Sequence, residues 1–172
     1  MSNFEILIVL VLFVVFLSGC GTERLFIDND RAEMLAFFDK SNSLVELIPN
    51  MQLEGFHYAN EINDLNYYTD LPPAPEKTYE RKWANCYGFA IFITEFLKYK
   101  GCFDNIKMIS LRQRGVAGAV TAWHYIILVQ VGQTLYEVSN MQLRTINNIA
   151  QSQMEWASMG YSEFEAISSI NK

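Results

Sequence analysis

"WHYIILVQVGQTLYEVSN", residues 123–140, is the stretch whose reading decides the fold. Its first half, "WHYIILVQV", is short, apolar and rich in β-branched and aromatic residues, which is the composition of a buried strand. Gly132 and Gln133 turn the chain back, and "TLYEV" reads as the hairpin partner. Upstream, "NIKMISLRQR" (105–114) alternates Ile106, Met108 and Ser110 against Lys107, Ile109 and Leu111 and reads as a further strand. The small-residue run "GVAGAVTA" (115–122) links the two as a loop. Before them, "NCYGFAIFITEFLKYKG" (85–101) has helical spacing at Phe89, Ala90, Ile93, Phe96 and Leu97. Asn85 suits the N-cap, Lys98 and Lys100 suit the last turn, and Gly101 suits the residue after it. A helix laid on a small antiparallel sheet places the chain in the α+β class.

The rest of the sequence is arranged around that unit. Residues 21–29 read as a short tether. Asp30 can cap a helix whose apolar positions include Met34, Leu35, Phe37, Phe38, Leu44, Val45 and Leu47, with a weak point at 41–43 and a stop at Pro49. Residues 50–81 are irregular, and "DLPPAPEKTYER" (70–81) holds three of the chain's four prolines, so it is expected to be extended. Residues 141–172 read as mostly helical, with Met154, Trp156, Ala157, Tyr161 and Phe164 as an apolar stripe facing the core. Residues 30–172 are therefore expected to form one domain.

Charge narrows the function. The net charge is −6, and Arg81-Lys82 and Arg112/Arg114 are the closest basic groupings. A nucleic-acid surface needs clustered Lys and Arg, so nucleic acid is excluded as a partner. Two histidines and scattered acids form no metal-ligand motif, and neither a metal nor any other cofactor is expected.

Cys86 opens the helix, and three roles compete for it. A disulfide with Cys102 would span a helix of about 24 Å, whereas bridged Cα atoms lie within about 7 Å. An inert buried thiol is the role that suits Cys102. A nucleophile is the third. Unpaired N–H groups at a helix N-terminus favour a thiolate and can hold the oxyanion of acyl transfer, and Gly88 is expected to keep the approach open. A base is then required. His124 opens the central strand beside a small-residue loop, whereas His57 lies in an irregular segment and reads as a surface residue. The base needs an orienting group, for which the partner strand offers Glu137, Ser139 and Asn140. A hairpin turn of even length puts Glu137 and Ser139 on the face of His124; an odd turn puts Asn140 there.

The leader carries an address. An unbroken apolar run, "ILIVLVLFVVFL" (6–17), is of signal-peptide length and too short to span a bilayer comfortably. It leads into "LSGC" (17–20), which resembles the lipobox of bacterial lipoproteins. That resemblance implies a signal peptide over 1–19, lipid attachment at Cys20 and anchoring to a membrane of the bacterial cell envelope. Gly21 after the cysteine implies the outer membrane facing the periplasm if the host is Gram-negative. Several acyl chains would make the anchoring durable.

The order "NCYGFA", then "WHYIILVQV", then "LYEVSN" resembles the transglutaminase-like cysteine peptidases of bacteria, in the papain-like group that includes NlpC/P60 cell-wall hydrolases. The resemblance covers roughly residues 82–140. It implies a papain-like or transglutaminase-like fold, with Cys86 as nucleophile and His124 as base. The family's Asp falls on Ser139 and the Asn after it on Asn140, so the implied catalytic set is Cys86, His124 and Asn140. The implied activity is a lipid-anchored thiol hydrolase or acyl transferase acting on an amide of envelope protein or peptidoglycan. The alternative is a non-catalytic envelope lipoprotein that uses the same scaffold to bind a partner.

Overall fold

A computed structural model describes residues 21–59 and 74–171, with side chains from residue 29 onward except at residues 170 and 171. Residues 1–19, expected to be a signal peptide, Cys20, residues 60–73 and residue 172 lie outside the described residues. The chain divides into two compact units at Phe37/Phe38. The described part of the first unit is helical and belongs to α1, Gly21–Asp39, which runs across the boundary. The expected tether over 21–29 is thus part of a helix.

In the second unit the break expected at 41–43 is present, and α2, Leu44–Leu53, follows it. Pro49 does not end this helix but sits inside it. Proline there removes the bond to the carbonyl of Val45. Val45 and Pro49 are both exposed, so water can take the place of the lost donor. A two-residue strand β1, His57–Tyr58, pairs in parallel with β2, Trp83–Ala84. Between them lies α3, Pro75–Arg81, with proline at its start, where a missing N–H costs nothing. The end of the proline-rich segment is therefore helical rather than extended.

Helix α4, Cys86–Lys100, has the expected limits. Asn85 caps it through Oδ1, which accepts the Gly88 N–H at 2.9 Å. Gly101 ends it at φ 60°, in the left-handed region where a side chain is disfavoured. Phe92 packs against Phe38 and Phe56 with ring centroids 5.0 and 5.4 Å apart, and Phe38 meets Phe96 edge-on. Phe38, Phe89, Phe92 and Phe96 are fully buried.

Strands β3, Asn105–Arg114, β4, Val120–Val131, and β5, Thr134–Ser139, match the expected order, with a short 3-10 turn at Val116–Gly118. The C-terminal part departs from the expected helix. It forms β6, Gln142–Ile146, then α5, Ile149–Ser158, then β7, Tyr161–Asn171. The five long strands form one antiparallel sheet in the order β6-β5-β4-β3-β7. The fold is α+β.

The two faces of the sheet follow from strand alternation. Tyr125, Ile127 and Val129 point toward α4, and Tyr87 of that helix lies on Tyr125 with centroids 4.5 Å apart. His124, Ile126 and Leu128 point the other way, toward α5. There, Ile109, Leu111, Ile126, Leu128 and Ile146 form a core cluster with Trp156, Tyr161 and Phe164. The stripe foreseen in the C-terminal part thus packs inward through Trp156, Tyr161 and Phe164, whereas Met154 is 67% exposed.

Candidate active site

The hairpin register decides which group meets His124. Val131 pairs with Thr134, so the turn is the two-residue Gly132-Gln133. Ser139 therefore lies opposite Ile126 and Glu137 opposite Leu128, both on the face of His124. The His124 Nε2 is 2.8 Å from the Ser139 hydroxyl oxygen. Asn140 occupies the first position of the next turn, at φ 53°. Its Oδ1 is buried and, among the described residues, has no hydrogen-bond partner. Ser139, not Asn140, is thus the partner of the imidazole. The physical reason is the even loop length, which leaves Asn140 one residue out of phase with the ring.

Two aromatic side chains enclose the imidazole. Trp156 of α5 lies on it with centroids 4.9 Å apart and planes at 34°, and Tyr161 of β7 stands 6.2 Å away. Trp156 and Tyr161 meet edge to face at 5.5 Å. This apolar enclosure disfavours imidazolium, and burial pushes the pKa of His124 down from 6.5 to about 4. Ser139 offers a hydroxyl but no charge to oppose that effect.

Cys86 sits at the first position of α4 and is 9% exposed. It is a free thiol. Burial raises its pKa above the ordinary thiol value, while the backbone at Tyr125, Tyr87 and Cys86 itself favours the thiolate and offsets part of that rise. Gly88, expected at the open approach, is buried in the first turn. Tyr125 is the neighbour of His124 in β4, so the sulfur meets the sheet one residue from the histidine. Tyr58, Tyr125 and Tyr161 all lie within electrostatic reach of the thiol. Tyr161 is thus near the imidazole and within electrostatic reach of the thiol. Among the described residues, no direct hydrogen bond joins Cys86 to His124. Unliganded thiol sites commonly close that gap only when substrate binds.

Glu137, the third candidate orienter, does not touch the ring. Its carboxylate is buried and accepts from Arg144 Nε at 2.9 Å, from Trp156 Nε1 at 3.1 Å and from the Ser152 hydroxyl. His57 is exposed, as expected. Sequence reasoning placed Trp156 in the core but missed its contact with His124, and it missed Tyr58, Tyr125 and Tyr161 around the thiol. An acid inside an apolar strand, Glu137, is a sequence signal that its donors lie nearby in the fold. Among the described residues, no group of three or more His, Cys, Asp or Glu is arranged to hold a metal ion. The chain matches no family model, no curated protein and no solved structure.

Proposed function

We propose that this chain is a thiol hydrolase or acyl transferase of the transglutaminase-like kind, acting on an amide bond of a protein or a peptidoglycan peptide. The observation that carries the reading is that the sulfur of Cys86, at the start of α4, meets the backbone of Tyr125, the residue beside His124 in β4. Lipid attachment at Cys20 and a place in the bacterial envelope belong to the same proposal.

Since burial raises the thiol and lowers the imidazole, both groups are neutral at rest near pH 7. His124 then acts as a general base rather than as half of a preformed ion pair. With Nε2 engaged by Ser139, Nδ1 is the nitrogen that takes the thiol proton. The sulfur forms a bond to the amide carbonyl carbon, and the carbonyl oxygen becomes an oxyanion held by N–H groups of the first turn of α4. The tetrahedral intermediate collapses, the C–N bond breaks, and the imidazolium returns its proton to the leaving amine. Water or an acceptor amine then releases the acyl group from the thioester.

The test is selective alkylation by iodoacetamide at pH 7. Cys86 is expected to label faster than Cys102, and His124→Ala is expected to remove that advantage. Labelling of Cys86 that ignores His124→Ala would sink the catalytic reading. It would favour a second one, a non-catalytic envelope protein on the same scaffold. Two observations support that second reading: the low exposure of Cys86 and the serine where a carboxylate would stabilise imidazolium.

A further inference from the structure

We propose that Glu137 is a positioning residue for His124, acting through Trp156: its buried carboxylate anchors the indole that packs on the imidazole. The inference rests on the reading of His124 as the base. Glu137 is 1% exposed, and a carboxylate so placed is costly unless its oxygens are satisfied. Three side chains from two elements supply the donors. Arg144 of β6 forms an ion pair at 2.7 Å and donates from Nε at 2.9 Å. Ser152 and Trp156 of α5 donate a hydroxyl and the indole N–H. A leucine at this position would continue the core of Ile126, Leu128 and Ile146 without that cost. Besides holding Arg144 and Ser152, the acid has an effect a leucine lacks that reaches His124: it fixes the far end of Trp156.

That fixed end matters because of what the ring touches. The indole face lies 4.9 Å from the imidazole, and Tyr161 stands edge-on to the indole and 6.2 Å from the imidazole. Ser139 holds Nε2 from the remaining side. His124 is thus clamped between one hydrogen bond and two rings, and of the two rings Trp156 is tied through Nε1 to a buried charge. Loss of that tie lets the indole rotate, admits water beside the imidazole and loosens the aim of Nδ1 toward the thiol. The titratable groups around the imidazole are Tyr161 from β7 and Glu137 behind the indole from β5, and Cys86 of α4 lies within electrostatic reach of Tyr161.

The test uses the full chain and two readouts. The first is NMR titration of the His124 ring; the second is the rate of Cys86 alkylation. Trp156→Phe keeps an aromatic ring but has no N–H to donate to the carboxylate, and Glu137→Gln removes the charge. Each is expected to raise the His124 pKa from about 4 toward 6.5 and to slow Cys86 alkylation about tenfold, as misaimed catalytic groups do. The double variant is expected to go no further than Trp156→Phe alone, since Glu137 acts through that ring. Additive effects, or a His124 titration unmoved by either change, would overturn the proposal. If Glu137→Gln fails to fold, Trp156→Phe and Ser152→Ala decide. Ser152→Ala removes a donor that does not touch the imidazole and is expected to leave His124 in place, whereas equal shifts from both would mark a general loosening and overturn the assignment. The base assignment is read separately, since His124→Ala that leaves alkylation unchanged fails that assignment whatever the titration shows.

Discussion

On the α4 side of the sheet, Ile106, Met108, Ile127, Val129 and Val138 meet a helix whose inward side chains are phenylalanine, isoleucine and leucine. On the α5 side, the same sheet carries His124, Ser139 and buried Glu137, and a cavity of about 190 Å³ lies between Ile109, Leu128, Phe164, Lys107 and Ile149. One face is closed by dispersion and area; the other holds polar groups whose partners must be placed one by one. The contrast teaches that the two faces are built differently, with β4 as the shared wall: the proposed base lies on the polar face, whereas Cys86 opens the helix that packs on the apolar one. Alternate residues of that one strand serve each side.

Perturbing the apolar side is expected to give the largest effect. Phe92→Ala removes a fully buried ring from contact with Phe38 and Phe56, and should cost about 3–5 kcal/mol in urea unfolding. A loss below about 1 kcal/mol would mean that the α4 face is looser than its burial implies. The polar side should show itself instead through pH. His124 has its pKa depressed from 6.5 to about 4 by burial, so the unfolded chain binds more protons than the folded one between those values. Stability is therefore whole above about pH 6.5, falls as acid is added through that window, and stops falling from this cause below about pH 4. His124→Gln should flatten the urea midpoint across the window; an unchanged slope would place the titration elsewhere.

A smaller effect is expected from restoring the missing charge. Ser139→Asp puts a carboxylate against Nε2 and should raise the histidine pKa. A more basic imidazole takes the thiol proton more readily, so Cys86 alkylation near pH 6–7 should quicken. Slower alkylation would show that Ser139 serves packing rather than proton transfer. Asn85→Ala removes the cap at the first turn of α4 and should cost about 1 kcal/mol. It should also slow Cys86 alkylation, because the N–H groups beside the sulfur lose their support. Least of all, Met154→Ala on the outer side of α5 should change stability by no more than about 0.5 kcal/mol.

The apolar side was legible in the sequence because its signals are local. Asn85 and Gly101 bound α4 chemically, and the apolar run around Ile126 to Val129 has no reading other than a buried strand. The polar side was legible only in part. The even turn at Gly132-Gln133 was one of two open choices, and it alone decides that Ser139 rather than Asn140 meets His124. The C-terminal stretch was misread because Trp156, Tyr161 and Phe164 repeat at intervals that a helix also allows, although Gly160 lies between them at φ 95° and starts a new element. The start of α5 did carry a signal. Asn148 Oδ1 accepts the Gln151 N–H at 2.9 Å while the Gln151 side chain accepts the Asn147 N–H at 2.8 Å, and an Asn followed three residues later by Gln marks such a cap. The contact between Trp156 and His124 joins residues 32 apart in sequence (156 − 124), and no local pattern reports it.

The outermost strand has its own consequence. Among the described residues, β7 has a hydrogen-bonded neighbour only on the β3 side, so its far side offers an open row of backbone donors and acceptors. Glu163 and Glu165 stand on this strand, tied to Arg112 and Arg114 of β3. Carboxylates on a sheet margin act as gatekeepers, because two such margins brought together repel. Acid strong enough to neutralise them would remove the gate along with the arginine ties, and concentrated protein should then be at its most prone to join strand to strand into ribbons.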